Sequence, residues 1–123
     1  MTILQDTVQL SNGIYHIQFS GPNGVDHGTI VIDGKRAHGG DTTYYYVAAF
    51  EVRNDGEIHA RVKIARHPAG KQAASVFGPI AEARLELTGT ATHDSFTLGG
   101  HLQGVPNARI TLCGKRSSEL DRL

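Results

Sequence analysis

The chain has no tryptophan, a single cysteine and no surplus of either charge. It also lacks any long apolar run, and each absence removes a class of function. With one thiol, Cys113, no internal disulfide can form, which fits a reducing compartment. Twelve basic residues balance twelve acidic ones. The net positive charge that a nucleic-acid backbone attracts is therefore missing, and basic residues do not cluster with aromatics, so direct nucleic-acid binding is not expected. Neutrality likewise gives no hold on an anionic membrane surface, and it leaves self-association unopposed by repulsion. No apolar stretch approaches the roughly 18 residues of a spanning helix. Met1 to Leu10 has neither the basic region nor the apolar core of an export signal. A soluble, cytoplasmic protein is the expectation.

What the chain does have is glycine, fifteen in 123 residues, set between alternating segments. The length suits one domain over residues 1–123, with 1–11 and 115–123 expected to fray. Tyr15, Ile17 and Phe19 share one face of a first strand, with His16 and Gln18 on the other. Strands near 26–33 and 34–40 follow, joined at Asp33-Gly34, a dipeptide suited to a tight hairpin turn. Gly39-Gly40 marks a bend, and Asp41 is placed to cap the next turn. From Tyr44 the chain is apolar on both faces: Tyr44, Tyr46, Ala48, Phe50 and Val52 on one, Tyr45, Val47 and Ala49 on the other. After Asn54-Asp55-Gly56, Ile58, Ala60, Val62 and Ile64 oppose His59, Arg61 and Lys63. Residues 69–77 have helical composition, ended by Gly78-Pro79. Three more alternating strands run through Ala81–Leu87, Phe96–Leu102 and Ala108–Leu112.

About eight strands joined by short turns predict an all-β, antiparallel up-and-down barrel with one short helix; a two-sheet sandwich is the alternative. A barrel of this size either fills its interior or holds one small ligand. Tyr15, Ala60, Ala83 and Gly100 on inward faces mark where an apolar guest would sit.

No catalytic constellation emerges. Seven histidines are scattered, none within four residues of another, although strand pairing could bring His16, His59 or His101 together. His38, Asp41 and Tyr46 could be built into an acid–base group, but a bend at Gly39-Gly40, a cap at Asp41 and a core tyrosine at Tyr46 are the favoured explanation. Glu51, Glu82 and Glu86 read as solvated strand faces. Neither a metal nor a cofactor is expected. The two-faced Tyr44–Ala49 strand needs a cover, either a helix or another subunit.

The ordered motifs resemble the small bacterial negative regulators of type III secretion. The resemblance rests on Gly13-Ile14-Tyr15 with Ile17 and Phe19, then Gly28, Ile30-Val31, Asp33-Gly34, Gly39-Gly40-Asp41 and Tyr46. It covers roughly the first half of the chain. It implies a lipocalin-like eight-stranded barrel that is dimeric and acts by binding a protein, such as a transcriptional activator, without catalysis. The family's acidic patch falls at Val52-Arg53-Asn54-Asp55, where only Asp55 is acidic. Tyr44, Tyr45, Val47, Ala49, Arg53, Asn54 and Asp55 are accordingly the expected partner or dimer surface.

Overall fold

A computed structural model describes residues 8–22, 24–67, 81–102 and 105–119. Eight strands follow one another: β1 (Gly13–Gly21), β2 (Gly24–Asp33), β3 (Arg36–Gly40), β4 (Tyr44–Val52), β5 (Glu57–Arg66), β6 (Glu82–Ala91), β7 (Ser95–Leu102) and β8 (Val105–Ser118). Each pairs antiparallel with the next, and β8 pairs back onto β1, closing an up-and-down barrel. The helix expected over 69–77 lies outside the described residues.

The alternation that defines each strand also sorts its side chains. Tyr15, Ile17 and Phe19 are buried, as are Ile30 and Ile32 on β2, Phe50 on β4, and Ile58 and Ile64 on β5. Leu85 and Leu87, Phe96 and Leu98, and Ile110 complete the interior from β6, β7 and β8. Aromatic rings meet across it: Phe19 contacts Tyr46 edge-on at 5.6 Å between centroids, and Tyr15 lies 5.9 Å from Phe96.

The β2–β3 turn sits one residue later than the sequence suggests. Asp33 pairs with Arg36, so Gly34 and Lys35 form the turn, and Gly34 has φ +64°. Glycine at the first central position is the preference of a type II′ hairpin, whose twist matches the strands it joins.

The described residues nearest each terminus are tied to the barrel. The backbone N–H of Ser11 donates to the His93 carbonyl at 2.8 Å, the Tyr15 hydroxyl donates to the Ser11 carbonyl at 2.6 Å, and Leu10 is buried. Residues 8–12 thus close one end of the barrel beside the β6–β7 turn. At the other terminus Lys115 and Arg116 continue β8, paired with His16 and Tyr15. Of the segments 1–11 and 115–123 expected to fray, Ser11 and residues 115–118 are hydrogen-bonded into the barrel, since backbone pairing needs no apolar side chains.

Gly39 shows how tightly neighbouring strands approach. A Cβ there would lie 2.0 Å from the Thr29 carbonyl oxygen and 2.6 Å from the Ile30 Cα. Around Gly34, by contrast, a Cβ meets nothing within 4 Å. Gly39→Ala is therefore expected to cost about 3 kcal/mol, since backbone must move. Gly34→Ala costs only about 1–2 kcal/mol of left-handed backbone strain. Urea unfolding of the two variants checks that order.

Candidate functional site

Two places gather the residues singled out by sequence: the Asp41 corner at one mouth of the barrel, and the outer wall of β2, β3 and β4.

At the corner, Asp41 closes the β3–β4 turn. Its Oδ1 accepts from the backbone N–H groups of Thr43 at 2.8 Å and Tyr44 at 2.7 Å, and its Oδ2 accepts from the Tyr46 hydroxyl. The Tyr46 ring crosses the face of Gly28, where a Cβ would stand 3.1 Å from both the ring edge and the hydroxyl. His67 Nε2 lies 3.1 Å from the Asp41 carbonyl oxygen. The motif residues Gly28, Gly39, Gly40, Asp41 and Tyr46 thus form one structural unit. Glycines admit the ring and the neighbouring strand, while the carboxylate ties the turn to the ring. Burial, reinforced by the hydrogen bond to Asp41, pushes the Tyr46 phenol far above its ordinary pKa. With Oδ1 on two amides and Oδ2 on the phenol, the carboxylate serves as a cap. His38 faces outward on β3 and does not join the group.

The outer wall differs in detail from the expected surface. Tyr44 turns inward and is 1% exposed, because it shares the face of Tyr46 and Phe50. It cannot belong to an outer surface. Tyr45 is half-buried, with its ring 5.8 Å from that of His67, and Ala49 is half-buried between Arg36 and Arg61 in the ladder. Val47 stays 36% exposed, and Val31, absent from the expected surface, is 37% exposed. The register aligns Val31 with His38 and His38 with Val47, so the two valines flank one histidine in a row across three strands. The signal for Val31 was present: Ile30-Val31-Ile32 is apolar on both faces, like Tyr44–Ala49. Arg53, Asn54 and Asp55 are exposed in the next turn. There Asp55 Oδ1 accepts from the Glu57 amide at 2.9 Å, so the one acid of that segment also shapes the turn.

The interior holds a cavity of about 60 Å³, lined by apolar side chains that include Phe19, Tyr46, Ala60, Ile64 and Leu98. Of the positions expected to frame a guest, Ala60 lines it, whereas Tyr15, Ala83 and Gly100 do not. Gly100 leaves no room, since a Cβ there would lie 2.4 Å from the Glu86 carbonyl oxygen and 2.8 Å from Leu87. Tyr15 is itself core.

Among the described residues no three His, Cys, Asp or Glu side chains converge as a metal cluster would. Strand pairing does bring two histidines together, but the pair is His16 with His27. Compared with family models and with curated proteins, the chain matches none.

Tyr46→Phe leaves Asp41 Oδ2 without its phenol donor and is expected to cost about 1.5–3 kcal/mol. The raised Tyr46 pKa carries a further consequence. The folded state holds the phenol proton more tightly than the unfolded chain does, so this contribution is complete below about pH 10. Above that it is lost as pH rises, by about 1.4 kcal/mol per pH unit until the folded phenol titrates. Urea midpoints from neutral to strongly alkaline pH should fall less steeply for Tyr46→Phe than for wild type.

Proposed function

We propose that this chain is a non-enzymatic regulatory or adaptor protein that acts from the outside of its barrel by binding another protein. The observation that carries this reading is the exposed Val31–His38–Val47 row, continued by Tyr45 and Ala49, on the wall of a barrel whose interior is mostly filled. Apolar side chains set among polar ones, with an aromatic ring at the margin, suit a protein interface. The motif resemblance to negative regulators of type III secretion supports the same reading. It suggests a cytoplasmic homodimer whose partner is a regulatory protein such as a transcriptional activator. With only Asp55 acidic in the segment 52–55, the partner contact on this chain depends more on apolar matching than on negative charge.

A second reading, a carrier of a small apolar ligand, is favoured by the wholly apolar lining of the cavity. Its volume weighs the other way. About 60 Å³ is less than half of the roughly 150 Å³ known to admit benzene.

Sedimentation at micromolar concentration should show a dimer, and Val47→Glu with Tyr45→Glu should yield a monomer whose circular dichroism is that of the wild-type barrel. A wild-type chain that sediments as a monomer would count against the homodimer. Native mass spectrometry should return the mass of a dimer of bare chains; a retained apolar molecule would favour the carrier instead.

A further inference from the structure

The outer wall carries a second feature, away from the β2–β4 row. In the β1–β2 ladder His16 faces Thr29 and Gln18 faces His27, so the two histidines are diagonal neighbours. Both are exposed. Their rings lie within 10° of parallel with centroids 5.1 Å apart, and His27 Nδ1 stands 3.1 Å from His16 Nε2. From this geometry we infer that His16 and His27 form a bidentate site for a divalent transition-metal ion that prefers imidazole.

The distance supports chelation directly. Two ring nitrogens 3.1 Å apart, each about 2.0–2.1 Å from a shared ion, subtend an angle of about 100° at it. That lies between the octahedral and tetrahedral values, and to meet it the two side chains rotate from facing each other in a hydrogen bond until both lone pairs point to one side. Neutral imidazole offers one lone pair, and the two that face each other here are Nε2 of His16 and Nδ1 of His27. Without an ion they share a proton in a hydrogen bond. With one, both facing nitrogens offer lone pairs and each ring carries its proton on its far nitrogen, Nδ1 of His16 and Nε2 of His27, a tautomer change in the ring that had been the donor.

Imidazole ligation selects nickel, copper or zinc over magnesium or calcium, which prefer oxygen. No third His, Cys, Asp or Glu converges on the pair among the described residues, so water fills the rest of the coordination sphere. Lys115 opposes His16 across the β1–β8 ladder and is exposed on the same wall. Its charge repels a cation and sets an electrostatic limit on affinity.

Isothermal titration of the tag-free protein with nickel chloride at neutral pH tests the site. One ion should bind per chain. His16→Ala and His27→Ala should each weaken binding roughly a hundredfold, because the second ligand of a chelate acts at high effective concentration. His101→Ala should leave nickel binding unchanged, and Lys115→Gln should tighten it. Circular dichroism and urea midpoints like those of wild type would show that the variants keep their fold. No binding at millimolar nickel, or binding that survives either His16→Ala or His27→Ala, overturns the inference.

Discussion

The β1–β8 seam is the constraint on which the remaining structure depends. An eight-stranded meander left open would present two edges of unpaired amides and carbonyls, each a template for unwanted pairing. Closure removes both, and it requires that β8 run from Val105 to Ser118 beside β1 and β7. Once the wall closes, every inward residue faces every other, and the interior must be filled at crystal-like density. The aromatic rings do much of that filling, and glycines make room for them. Gly114 lies under the Phe96 ring, where a Cβ would come within 2.2 Å, and Gly28 lies under Tyr46.

A mostly filled interior leaves the wall as the surface on which the proposed function rests. The Asp41 corner illustrates the logic, for what reads as a reactive trio of His, Asp and Tyr becomes a brace. Asp41 holds two amides and a phenol, and His38 faces outward on the opposite side of the sheet. The apolar row through Val31 and Val47 is left exposed by the same alternation that buries Ile30, Ile32, Tyr46 and Phe50.

The strands were legible because a period of two is the signature of a half-buried sheet, and Ile58–Ile64 and Tyr15–Phe19 display it plainly. The barrel was legible from strand count and turn length. The ends were not. Lys115 to Ser118 carry no apolar alternation, and only the pairing of their backbone makes them strand. The inward turn of Tyr44 followed from its phase with Tyr46, but the run of three tyrosines drew attention to the surface. The exposed row and the histidine pair depend on register between strands. That register is set by turns such as Gly34-Lys35 and by the Gly21–Gly24 pairing, which side-chain periodicity within one strand does not encode.

We propose that this barrel works through its β2–β4 wall. The most direct measurement places a photo-reactive amino acid at Val47 or at exposed Thr97 on the far wall, followed by irradiation in the host cell. A discrete protein adduct is expected from position 47 and none from position 97. Adducts from position 97 alone, or the absence of any adduct at position 47, would contradict it.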